Sequence, residues 1–235
     1  MRPGVVAALV SASLLVPGAA PADGPAPRPL PALMADTGGG TQLITAVAPV
    51  TGSTTGRVTW WDLRDGTWVR AGSAAARFGA GGLADGATRR QGTDTTPTGL
   101  YDLPYAFGTE AAPRGTAYRY RPVRQDSWWC QDNASRSYNR WTEPRPADCR
   151  AAEAEHLITF PVQYAHALVV GFNYHRPVRG RGAGIFLHVN GRGATAGCVS
   201  VSARAMRRIL RWADPDAAPH IAIGTSGGAT AVTRY

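Results

Sequence analysis

The residues of this chain best suited to do chemistry lie in the stretch IFLHVNGRGATAGCVSVS, residues 185–202. His188 closes an apolar run, and Cys198 follows ten positions later, after a loop of small residues. A thiol of ordinary pKa about 8.5 is mostly protonated at neutral pH, so it becomes a nucleophile only beside a base or a cation. An imidazole can be either: it can take the S–H proton, hold it, and return it to a departing amine. Backbone N–H groups around Gly197 and Cys198 would then hold the tetrahedral oxyanion, because glycines let the main chain approach a reacting carbonyl. Tyr174 is a further candidate for that hole, from the end of the strand expected before the His188 strand. The reaction class is acyl transfer through a thioester. Taken singly, each residue also has a plain structural reading, a strand histidine bonded to a nearby carbonyl and a buried, inert thiol.

Which thiol is free depends on the other two cysteines, Cys130 and Cys149. They flank QDNASRSYNRWTEPRPAD, a polar insertion with little to bury. Linking them closes a loop of about 19 residues and stabilises the fold by roughly 3 kcal/mol in the chain-entropy model. Cys198 is then the unpaired cysteine. His156, His166, His175 and His220 show no spacing typical of a zinc site, so neither metal nor cofactor is expected.

The elements that must position the pair read as mainly β. QLITAVAPV (42–50), GRVTWWDLR (56–64) and TWVRAG (67–72) are rich in β-branched and aromatic residues, the last two forming a hairpin through Asp65-Gly66. Further strands are expected at 99–108, 156–164, 166–174, 183–190 and 220–225. After the cysteine, SARAMRRILRWADP places Met206, Ile209 and Leu210 on one helical face, with Ser202 as N-cap, Pro215 beyond the end and a solvated arginine stripe opposite.

The first residues bound the compartment. An arginine, an apolar run from Val5 to Val16 and Ala20-Pro21-Ala22 fit a secretory signal cleaved after residue 22. That run is shorter than the roughly 20 residues a membrane span needs, so no span is expected once the signal is removed. Residues 23–40 read as a Pro/Ala/Gly-rich linker, 41–225 as one domain carrying the 109–155 insertion, and 226–235 as a tail. The 25 Lys+Arg residues are all arginine and the net charge is +9. No lysine is therefore available for catalysis, and guanidinium forks suit an anionic surface. With an export signal, that surface is the cell envelope rather than nucleic acid.

The 185–202 stretch, together with RRQGTDTTPTGLYDL (89–103), resembles the L,D-transpeptidase, or YkuD-like, catalytic domain of bacterial cell-wall enzymes. Gly92 followed by Thr96-Pro97-Thr98-Gly99-Leu100-Tyr101 is similar to its upstream turn, and Thr195-Ala196-Gly197-Cys198 to its Ser/Thr-His-Gly-Cys signature. The resemblance implies a β-sandwich or flattened barrel with a helix following the nucleophile cysteine. It implies that Cys198 is the nucleophile, that His188 is the proton donor and acceptor, and that the Val189 carbonyl orients the ring. The implied partners are peptidoglycan stem peptides, as donor and acceptor. Cys198 would expel a terminal D-alanine, and an amine of a second stem would give a 3→3 cross-link. The expectation is a secreted, wall-associated monomer. Ala196 stands where the family has histidine, and the 109–155 insertion does not map onto the family pattern; its Trp128, Trp129 and Trp141 read either as a lid that stacks on sugar or peptide or, the preferred expectation, as a disulfide-pinned flap that packs them inward. Two alternatives use the same residues differently: a carboxypeptidase or hydrolase through Cys198, and a non-catalytic wall-binding module.

Overall fold

Hydrophobic alternation and turn chemistry build the scaffold from its first hairpin onward. The computed structural model describes Met1 and residues 28–226, so the expected signal segment beyond Met1 and all of the tail after Ser226 lie outside the described residues. The strands are β1 Gln42–Ala48, β2 Thr55–Arg64, β3 Thr67–Arg77, β4 Leu83–Asp85, β5 Thr96–Asp102, β6 Ala106–Gly108 and β7 Tyr120–Pro122. They continue as β8 Trp128–Cys130, β9 Arg140–Thr142, β10 Ala154–His156, β11 Ala167–Val169, β12 Phe186–Val189, β13 Val199–Val201 and β14 His220–Thr225. One α-helix, α1 Ala203–Trp212, follows β13. The large sheet runs β4-β5-β14-β1-β2-β3-β13-β12-β11-β6-β7, and β10-β8-β9 form a small second sheet. The fold is mainly β, as expected.

Asp65 and Gly66 both take positive φ, 48° and 74°, the two-residue turn whose twist matches flanking strands. Ser202 caps α1 by accepting from the Ala205 N–H, and Met206, Ile209 and Leu210 are buried. Ahead of β1, Leu30–Leu33 form a 3-10 turn, and Met34 packs against the cluster of Leu43, Leu100 and Ala222.

Three strand expectations need correction. The 99–108 run is two strands, because Pro104 has no N–H to continue a ladder between Asp102 and Ala106. The 156–164 run is not a strand: β10 ends at His156, Leu157–Thr159 is a 3-10 turn, and Pro161 lies just beyond. The 166–174 strand stops at Val169, after which the chain turns at residues 172–174. Strands β4, β7, β8, β9 and β13 are three residues each, too short to show a period.

Strands β11, β12 and β13 are buried on both faces, with side chains alternating across the sheet. Leu168, Leu187, Val189, Val199 and Val201 join Met206, Ile209 and Leu210 in one core beneath α1. Ala167, Val169 and Phe186 face the other way, into a cluster with Phe107, Trp129, Trp141, Tyr164 and Cys198.

That second face is roofed by the insertion. Cys130 and Cys149 are bridged, closing a separation of 19 residues. Asp132, fully buried beside the bridge, accepts two bonds from the Arg150 guanidinium at 2.7 and 2.9 Å, which hold its carboxyl well below the usual range. Trp129 and Trp141 pack inward as expected, whereas Trp128 is half-buried and stacks flat on His156 at 4.0 Å.

Candidate active site

Parallel pairing of β12 with β13 sets His188 opposite Ser200. Cys198 lies two residues before Ser200, so thiol and imidazole project from the same face of the sheet, one step apart along the strands. His188 and Cys198 are 6% and 8% exposed and both line one cleft of about 250 Å³, with Gln131, Glu155, Tyr164 and Ala196. His188 Nδ1 lies 2.8 Å from the Val189 carbonyl. A carbonyl can only accept, so Nδ1 carries the proton and Nε2 keeps the lone pair. The Tyr164 ring meets the imidazole edge-on at 5.5 Å. Cys198 Sγ donates to the Gly184 carbonyl at 3.4 Å and accepts from the Phe186 N–H at 3.3 Å.

Burial pushes the Cys198 thiol up to about 12, the charge of Glu155 adds to this, and the Phe186 N–H and Arg89 pull it partly back. Burial likewise pushes His188 down to about 4, against the Val189 carbonyl, which favours the imidazolium. The resting pair is therefore a neutral thiol beside a neutral imidazole. Such a pair does not store a thiolate, so the thiol can act as a nucleophile only where a base takes its proton as the new bond forms.

The loop before Cys198 is shaped from behind by the upstream turn. Thr195 Oγ1 donates to the Cys198 carbonyl at 2.6 Å and accepts from the Gly197 N–H at 3.1 Å. Thr96 Oγ1 reaches the same carbonyl at 3.3 Å and accepts from the Gly79 N–H. Gly197 has φ +133°, and a Cβ there would sit 2.9 Å from both Arg89 Nη2 and the Thr95 carbonyl. Arg89 is 6% exposed and donates to the carbonyls of Thr95 and Arg181. No ion pair among the described residues includes it. Its charge also reaches the Cys198 thiol, whose pKa it lowers.

The structure brings Cys198, His188, Val189 and Gly197 together, but the Gly197 N–H, read as an oxyanion donor, is engaged by Thr195. Tyr174 does not line the cleft. With β11 ending at Val169, its ring lies over the Arg140 guanidinium at 4.7 Å and beside Trp129. Sequence reasoning passed over Glu155, Tyr164, Gln131 and Arg89. Tyr164 donates to Glu155 Oε1 at 2.5 Å and Gln131 to Oε2 at 3.4 Å, while burial outweighs both bonds and raises the Glu155 carboxyl to about 7. No spacing rule links residues 131, 155 and 164; only the disulfide, which starts beside Gln131 and ends six residues before Glu155, hinted that their segment is held in place.

The pattern of the L,D-transpeptidase catalytic domain, YkuD, matches residues 51–225. The chain belongs to this family. The match spans both motifs, β5 with its Thr-Pro-Thr-Gly turn and the β12-to-β13 segment, which meet where Thr96 reaches the Cys198 carbonyl. The family is one of cysteine-dependent, L,D-transpeptidase-type acyltransferases that act on peptidoglycan. Among solved structures, that of Bd1075 from Bdellovibrio bacteriovorus is similar at 14% identity, with a TM-score of 0.38, over 78% of this chain and 48% of that one. This chain thus spans about half the length of that relative. No curated protein matches it. Among the described residues no helix is long and apolar enough to cross a membrane, and no group of three His, Cys, Asp or Glu residues could hold a metal ion.

Proposed function

We propose that this chain is a secreted, wall-associated L,D-transpeptidase in which Cys198 is the nucleophile and His188 the acid and base. The observation that carries this reading is the single cleft shared by the free thiol and an imidazole whose Nδ1 bond to the Val189 carbonyl leaves the Nε2 lone pair free. As the thiol attacks the carbonyl before the terminal D-alanine of a stem peptide, Nε2 takes the S–H proton and a C–S bond forms. The imidazolium then gives that proton to the departing amine as the C–N bond breaks, leaving a thioacyl-enzyme. The side-chain amine of a second stem attacks the thioester, and sulfur leaves with a proton returned through His188, giving a 3→3 cross-link. Arg89, fixed behind the loop, favours the negative charge that develops near sulfur.

Incubating the protein with a tetrapeptide stem and reading intact mass tests this. An adduct equal to the tripeptide acyl group on Cys198 is expected, with free D-alanine in solution. A wild-type protein that never acylates overturns the assignment. Ala196, which lines the cleft where the family has histidine, favours a second outcome for the same thioester, attack by water and release of free tripeptide. Product analysis with an acceptor present separates the two.

A further inference from the structure

A transfer reaction needs a place for the second peptide, and the insertion supplies a cavity of that kind. Beside the Cys198 cleft lies another cavity of about 440 Å³, walled by Trp128, His156, Thr159 and the Ala151–Glu153 turn. The two share Gln131, Glu155 and Phe160. Glu155 is thus half-buried at the junction, reachable from either side. Its hydrogen-bond partners, the Tyr164 hydroxyl and the Gln131 amide, are both neutral. None of the ion pairs among the described residues includes it, although the chain carries a net charge of +9. A carboxylate taken partly out of water without a cation beside it is set to gain most from a ligand that brings one. Trp128 and His156, stacked on each other, both line the cavity and give it aromatic surface against which the apolar stem of an alkylamine would pack.

We propose that this second cavity is the acceptor site, and that Glu155 binds the primary ammonium of the incoming peptide and takes its first proton. The inference rests on the transpeptidase reading above and adds to it the group that selects a charged amine. The ammonium gives one proton to the Glu155 carboxylate, and the neutral nitrogen attacks the thioester carbonyl. The tetrahedral adduct passes a second proton to His188 Nε2 as the C–N bond is completed. The C–S bond then breaks, sulfur takes that proton from the imidazolium, and Glu155 releases its own to solvent. A carboxyl that burial holds near 7 can accept a proton at this step and lose it again at neutral pH. Tyr164, bonded to Glu155 and edge-on to His188, keeps the two proton-handling groups in fixed relation.

The test reads how one acyl-enzyme divides between two fates. Wild type and Glu155→Gln are given a tetrapeptide donor with either a tripeptide stem bearing a free side-chain amine or hydroxylamine, which is uncharged at mildly alkaline pH. The ratio of amide product to hydrolysed tripeptide is then measured. Both products come from the same thioester, so the ratio is independent of how fast it forms. With the charged amine the ratio is expected to fall about tenfold or more in Glu155→Gln, and with hydroxylamine to stay as in wild type. Trp128→Ala, a half-buried position, is expected to raise the acceptor KM about tenfold through lost contact area. An unchanged ratio with the charged amine, or an equal loss with both acceptors, overturns the proposal while leaving the transpeptidase reading intact. A wild-type protein that acylates and then yields only hydrolysis overturns both.

Discussion

The two faces of strands β11 to β13 are built from different materials. Under α1 the contacts are aliphatic, Leu187, Val189, Val199 and Val201 against Met206, Ile209 and Leu210. Under the insertion they are aromatic and polar, Phe107, Trp129, Tyr164 and Phe186 around Cys198, with His188 and Glu155 at the open edge. The first face is held by shape and burial alone, so its residues can be exchanged for others of similar volume. The second must leave a cleft and keep a thiol and an imidazole neutral. It does so with a disulfide, a buried Asp132 carboxylate held by the exposed Arg150, and the Asn139 side chain, which accepts from Trp129 Nε1 and the Gly184 N–H.

The largest effect expected on the insertion side is complete: Cys198→Ala abolishes the acyl adduct in intact-mass measurements. His188→Gln comes next and should slow adduct formation about 10²- to 10⁴-fold, the usual range for a lost general base, in single-turnover kinetics. On the helix side, Ile209→Ala should cost about 2–5 kcal/mol in denaturant unfolding while the acylation rate of the folded fraction stays unchanged. An equal change in both quantities would break the distinction between the faces.

Cys130→Ala with Cys149→Ala should cost roughly 3 kcal/mol for the loop it frees. Hydrogen exchange should then speed up in β8, β9 and β10 before it does in α1. The effect expected to be most spread out, over about two pH units, is the pH dependence of stability. His188 has its native pKa lowered to about 4 from 6.5, so as pH falls through that window the unfolded chain gains a proton that the native state refuses. Stability from this group is present above about pH 6.5 and lost toward pH 4, and His188→Gln should flatten the slope in unfolding titrations.

The aliphatic face was open to sequence reading and the reactive one only in part. The α1 stripe and its Ser202 cap show at helical spacing, and Asp65-Gly66 names its own turn. The free thiol followed from cysteine arithmetic and its histidine from proximity in the chain. Glu155, Tyr164 and Arg89 did not appear, because each enters the site from a separate segment through contacts that leave no period or spacing. The strand read over 156–164 failed for a related reason: its apolar residues are used in a turn that packs Leu157 and Tyr164 inward. Tyr174 was placed by the assumed length of a strand that ends five residues earlier.

The bond from Thr96 to the Cys198 carbonyl, with Arg89 packed close behind Gly197, bears on how this enzyme family can be re-engineered. Residues 89–103 act as the mould in which residues 185–202 are cast. A graft that transplants the thiol-bearing segment into another scaffold without its mould should deliver the right side chains on a loop of the wrong shape.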